Sequence, residues 1–248
     1  MPVHRAARAF DATADLYERA RPEYPDDALT RLVEVLGIDA ATTVVDLAAG
    51  TGKLTGPLVR TGAQVLAVEP IAGMCRVLVA RVPGVPVLAA TAEAIPLCDA
   101  SVDVVTVGQA FHWFRADEAL REIRRVLARQ GRLGLIWNRR DRRHEVQRAL
   151  SAIVEPYREH APSYAEGDWL AAFDRTDAFG PLQVERFATA QHLDTAGLVE
   201  RVCSISFVAG LPDAERAHVA RDVAALAEAH GGHVDLAYVT DCFWCPAR

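Results

Sequence analysis

The stretch Val44-Val-Asp-Leu-Ala-Ala-Gly-Thr-Gly-Lys-Leu-Thr55 constrains this chain more than any other. Thr43 to Leu47 is β-branched and apolar in the manner of a strand covered on both faces, which is the pattern of a parallel sheet flanked by helices. Gly50 and Gly52 then let the backbone turn tightly and approach a ligand before a helix starts near Lys53. A strand, a glycine turn and a helix in this order form a cofactor loop at the carboxyl end of an open α/β sheet.

The residues around the glycines narrow the cofactor. A P-loop is excluded, because Lys53 is followed by Leu54 and Leu47 occupies the place of its first glycine. A dinucleotide loop wants a small residue where this chain has Thr55, and Asp46 at the end of the strand would repel a pyrophosphate. That carboxylate would instead attract a cation such as the ammonium of an amino-acid tail. The next apolar run, Gln64 to Val68, ends in Glu69, nineteen residues after Gly50. This is close to the spacing at which an acidic residue meets ribose hydroxyls.

Two further segments follow in order: Thr91-Ala-Glu-Ala-Ile-Pro96 and Asp103-Val-Val-Thr-Val-Gly-Gln-Ala-Phe-His-Trp-Phe114. Together with Asp46-Leu-Ala-Ala-Gly-Thr-Gly and Val68-Glu69-Pro70, they make the chain resemble the class I S-adenosylmethionine-dependent methyltransferases over about residues 10 to 140. More narrowly, it is similar to the small-molecule branch that includes the ubiquinone-biosynthesis and trans-aconitate-type enzymes. The resemblance implies an α/β fold with a Rossmann-like, seven-stranded, mostly parallel sheet flanked by helices, its last strand antiparallel and a helical lid over the active site. It implies S-adenosyl-L-methionine as cofactor and in-line methyl transfer to a small-molecule acceptor.

The same resemblance distributes roles along the chain. Phe10, Tyr17 and Arg21-Pro-Glu-Tyr-Pro25 match an N-terminal flap, residues 1 to 25, in which Tyr17 and Arg21 would bind the cofactor's carboxylate end. Pro70 would pack on the adenine, with Met74 either helping or belonging to the core, and Thr91 and Ala92 would read the adenine edge. Gln109 would lie beside the methionine part. Ala48 stands where the family more often has glycine, and Thr91 where it commonly has an acid. The implied cofactor set is therefore Tyr17, Arg21, Asp46, Ala48, Gly50, Gly52, Glu69, Pro70, Thr91, Ala92 and Gln109.

Several residues carry two readings. Arg21 clamps a carboxylate with its two-pronged guanidinium, or pairs with Glu23 or Asp26 on a solvated face. Glu93 is a helix-capping acid or a ligand. His112, the one titratable group in the aromatic wall Phe111 to Phe114, is the candidate catalytic base for a hydroxyl, amine or carbon acceptor, or a stacked wall residue. A carboxylic acid acceptor needs no base. The run Arg139, Arg140, Arg142, Arg143 and His144 binds an anionic substrate or is a charged loop of salt bridges. Lys53, the sole lysine, is given no catalytic role.

The balance of 27 Lys plus Arg against 33 Asp plus Glu, a net charge of −6, disfavours a nucleic-acid partner. No long apolar run marks a signal peptide or membrane span, and five scattered cysteines point to reduced thiols, so the sequence reads as cytoplasmic, a monomer or homodimer. Cys242 and Cys245 lie on a strand, where an i, i+3 pair points to opposite faces, and His230-Gly-Gly-His233 reads as a turn, so no metal is expected. Residues 26 to 140 form the cofactor-binding core, with strands at Val85 to Leu88, Val102 to Val107 and Arg132 to Trp137. Leu182 to Phe187 and Val234 to Cys245 are the sixth and last strands, and residues 141 to 180 and 189 to 232 the helical cap, with Pro162 to Asp168 as a loop. Two rivals are a nicotinamide-dependent oxidoreductase and a non-catalytic S-adenosylmethionine-binding regulatory protein.

Overall fold

The computed structural model describes residues 9–158 and 169–248; the loop expected over Pro162 to Asp168 lies outside them. The parallel half of the sheet comprises β1 (Thr43–Leu47), β2 (Gln64–Val68), β3 (Val87–Leu88), β4 (Val102–Gly108) and β5 (Leu127–Arg140). Two long strands follow, β6 (Gln183–Asp194) and β7 (His233–Pro246). The order across the seven-stranded sheet is β3-β2-β1-β4-β5-β7-β6. β7 enters between β5 and β6 and is antiparallel to both. The strand order reverses between β1 and β4, and in sheets of this kind that switch opens a crevice at the carboxyl ends of the strands.

Helices cover both faces. On one side, α2 (Asp26–Leu36) buries Ala28, Leu32 and Leu36 against Val44, Val104 and Ile136, and closes at Gly37 with φ of 66°. Gly134 makes this contact possible: a Cβ there would stand 2.5 Å from a Leu36 methyl. On the other side, α5 (Ala116–Val126) sets Leu120 and Ile123 on Val105 and Val107, and Arg115 N–H at its start donates to Glu93 Oε1 at 3.0 Å. Glu93 thus caps a helix. Cys242 and Cys245 fall into these two separate cores, on opposite faces of β7.

The helix after the glycine turn, α3 (Thr55–Arg60), starts two residues later than the sequence suggests, and α4 (Ala72–Arg81) follows β2. The N-terminal lead folds as α1 (Ala9–Ala20) and lies on α4, with Phe10, Ala14 and Tyr17 packed against Ile71, Met74 and Val77.

The sheet differs from expectation at its outer end. The sixth strand was expected to stop at Phe187, yet β6 runs on to Asp194 in unbroken register with β7, and so takes residues 189–194 out of the cap. The mixed run Ala188-Thr-Ala-Gln-His192 has too few apolar residues to read as a strand, because only alternate side chains face the interior. This ribbon carries a third core. Val234, Leu236 and Tyr238 of β7 pack against α6 (Glu145–Val154), α8 (Thr195–Cys203) and α10 (Asp213–Ala229), with the short α9 (Ser206–Ala209) beside them. One further helix, α7 (Trp169–Asp174), seats Trp169 on Trp137 at 4.7 Å between ring centroids.

Candidate active site

The carboxyl ends of β1, β2, β4 and β5 open into one cavity of about 910 Å³. Its floor is the glycine turn, where Ala48 and Gly50 sit at φ of 54° and 58°. Left-handed backbone costs an alanine roughly 1–2 kcal/mol. It persists because the turn is tied down: Ala49 N–H donates to Val68 C=O at 3.2 Å and Gly50 N–H to Glu69 Oε2 at 2.9 Å.

Glu69 is the acidic anchor. It is only 3% exposed, its second oxygen accepts from Ile71 N–H at 2.9 Å, and burial raises its carboxyl to about 7. Each oxygen keeps a lone pair for a hydroxyl donor. Pro70, Ile71 and Met74 give an apolar wall beside it, and Thr91 and Ala92 form the next stretch of lining. The Thr91 hydroxyl is buried without a hydrogen-bond partner.

At the other end stands Arg21. Its guanidinium lies over the Tyr17 ring at 5.1 Å and donates to Ser204 C=O at 2.9 Å, while Nε is buried and unpartnered. Burial and the nearby Arg201 lower its pKa to about 9. The solvated-face alternative therefore fails. His112 sits in a 3₁₀ turn (Phe111–Trp113), 5.0 Å from the Trp113 ring, and burial with Arg21 nearby lowers its pKa to about 4. With that pKa the imidazole is neutral at pH 7; its Nδ1 is buried without a hydrogen-bond partner, and the residue lines the cavity. Gln109, at φ of 59°, completes the β4 side.

Two sequence-selected residues do not line the cavity. Asp46 was expected to meet an ammonium, but it is fully buried beneath the turn, accepting from Thr55 Oγ1 at 2.6 Å and Thr106 Oγ1 at 3.2 Å. Its carboxylate organises the loop from below, and Thr55, which spoke against a dinucleotide, is its partner. Gly52 faces away too: a Cβ there would meet Leu78 and Val82 at 3.2 Å, so it serves the packing of α4.

The sequence missed Lys53. It is buried, its ammonium lies 2.7 Å from Glu23 and 3.6 Å from Glu18, and Arg81 pairs with the same two carboxylates. These charges tie α1 and the segment after it to the cofactor loop and α4. Phe10 at the start of α1 reaches the Trp113 ring at 6.3 Å, so the helix crosses from α4 to the aromatic turn. Arg201 and Phe207 of the ribbon-borne helices also line the cavity, on a segment where the sequence carried no motif.

Residues 45–135 match the family model described as a methyltransferase domain. An uncharacterized methyltransferase of Mycobacterium tuberculosis is 38% identical over 242 residues, covering 94% of this chain and 93% of its own. The chain belongs to the methyltransferase family. A second relative, an uncharacterized methyltransferase-like protein of Schizosaccharomyces pombe, is 37% identical to this methyltransferase, with 86% and 83% of the two chains covered. The YcgJ protein of Bacillus subtilis shares the fold, with a TM-score of 0.59 at 20% identity over 90% of this chain and 99% of that one. The methyltransferase uses S-adenosylmethionine as its methyl donor, and the cavity fits that molecule. A carboxylate suits vicinal hydroxyls at one end, an arginine with an unused N–H suits a carboxylate at the other, and an apolar wall stands beside the first. No described helix is long and apolar enough to cross a membrane.

Proposed function

We propose that this methyltransferase acts on a small-molecule acceptor by in-line transfer. The observation that carries the reading is one continuous cavity running from Glu69 to Arg21 and on to Arg201 and Phe207. At about 910 Å³ it is of the size that holds small ligands, of order 300–1,000 Å³.

In this reading Glu69 holds the ribose, Pro70, Ile71 and Met74 face the adenine with Thr91 and Ala92 at its edge, and Tyr17 and Arg21 hold the carboxylate. The donor supplies a methyl group already activated by a sulfonium. The protein's own work is alignment and exclusion of water. α1 closes one side, and the aromatic turn with His112 forms the wall where the acceptor approaches. A neutral imidazole there accepts a proton from a hydroxyl or amine acceptor and leaves a carboxylate acceptor untouched.

The test uses donor carrying a labelled methyl group with the purified protein. Label is expected in a low-mass metabolite fraction and absent from protein and nucleic acid. Label in either macromolecule, or tight binding of S-adenosylhomocysteine with no transfer to any fraction, would overturn the reading.

A further inference from the structure

The basic run after the sheet divides once its partners are known. Arg139 pairs with Asp241 at 2.9 Å and Arg143 with Asp141 at 2.7 Å. Arg142 and Arg158 both face Glu155, at 3.6 and 2.8 Å. Arg140, in the same run, has no carboxylate within ion-pair distance among the described residues, and neither do Arg21 or Arg201. All three line the cavity.

Geometry brings Arg140 and Arg201 to one spot. Arg140 stands directly opposite Tyr238 in the β5/β7 register, and residues opposite one another point to the same face. Arg201 stacks over that Tyr238 ring at 5.7 Å and donates from Nε to its hydroxyl at 2.8 Å. The two guanidiniums therefore flank one tyrosine, Arg201 only 5% exposed. Burial followed by the charge of Arg201 lowers Arg140 to about 10, so the two cations repel one another. Buried cations are costly without a counter-charge, and guanidiniums suit the paired oxygens of an oxyanion.

We infer that Arg140 and Arg201 form an anion subsite that selects an acceptor bearing a carboxylate or phosphate group, distinct from the Arg21 position assigned to the donor. This rests on the small-molecule reading above. The arginines are specificity-determining residues, and Tyr238, between them, positions Arg201.

The test is calorimetric titration of the full chain, saturated with S-adenosylhomocysteine, using succinate, tricarballylate and inorganic phosphate, with dimethyl succinate as the uncharged control. At least one anion is expected to bind where the diester does not: a carboxylate alone identifies an acidic acceptor, phosphate alone a phosphorylated one. Arg140→Gln should weaken that anion at least ten-fold and leave S-adenosylhomocysteine affinity unchanged, whereas Arg175→Gln, outside the cavity, changes neither. Arg201→Lys keeps the charge but loses the fork, and should weaken the anion less than Arg140→Gln while the thermal midpoint holds. Binding of S-adenosylhomocysteine with no anion bound, or equal binding to Arg140→Gln, overturns the subsite alone. Failure to bind S-adenosylhomocysteine would count against the donor site on which both readings stand.

Discussion

Gly73 is where the N-terminal helix meets the rest of the molecule most closely. A Cβ on Gly73 would stand 2.1 Å from the Asp11 carbonyl oxygen and 2.9 Å from its carbon. Ordinary contact is near 3.5 Å, so Gly73→Ala pushes α1 back by more than about 1 Å. The retreat breaks the bond from Gly73 N–H to Asp11 Oδ1, 2.6 Å long, which as a charge-assisted bond contributes about 1.5–3 kcal/mol. It also loosens Phe10, Ala14 and Tyr17 from Met74 and Val77. With a methylene's worth of burial at about 0.8 kcal/mol, the closed position loses on the order of 2–4 kcal/mol. Tyr17 and Arg21 are carried by this helix and the turn after it, so affinity for S-adenosylhomocysteine should fall roughly 50- to 500-fold. Calorimetric titration reads that loss. The thermal midpoint should move little, because α1 packs outside the two sheet cores. Gly56→Ala is the internal control: its Cβ would meet only side-chain atoms at 3.7 and 3.8 Å, and a helical glycine gains about 0.5–1 kcal/mol from alanine. A Gly73→Ala protein that binds S-adenosylhomocysteine as the parent does would show that the seating of α1 does not hold the donor.

Two further predictions follow from the buried charges. Asp46 has its carboxyl raised by burial from the ordinary 3.8 to about 7, so its contribution to stability is full below pH 3.8 and is lost as pH rises through 7. Asp46→Asn should therefore gain on the parent between pH 5 and 7, by on the order of 1 kcal/mol per pH unit at most; denaturant unfolding at three pH values measures it, and parallel curves would exclude it. Lys53→Met removes one of the two cations shared by Glu18 and Glu23 and should cost about 1–3 kcal/mol locally. Hydrogen exchange should accelerate in α1 while β1 and β4 stay protected, and unchanged exchange in α1 would dismiss the tether.

The parallel half of the molecule was legible because its strands are nearly continuous apolar runs and its turn residues carry backbone requirements. That Glu69 lies at the cavity was readable from spacing. Asp46 was not, since a strand-end carboxylate looks the same whether it points into a cavity or down onto two threonines. The ion pairs of Lys53 were not legible because its partners come from positions 18 and 23, and nothing local announces them. In the run from Arg139 to Arg143 the salt-bridge reading describes Arg139, Arg142 and Arg143, and Arg140 is left to the proposed anion subsite. Three arginines are paired with acids and Arg140 is not, a distinction that depends on Asp241, Asp141 and Glu155 in three dimensions. Arg201 was hidden in a segment whose helical periodicity is plain and whose chemistry depends on Tyr238, 37 residues away.

The ribbon formed by the outer halves of β6 and β7 has a consequence for how such a protein diversifies. Its helices bury their apolar residues in a core of their own, apart from the two cores that clamp the parallel strands. The hydrogen bonds of Glu69 and Asp46 go to Gly50, Ile71, Thr55 and Thr106, none of them on the ribbon. One half of the molecule is thus free to change its clientele while the other keeps its currency.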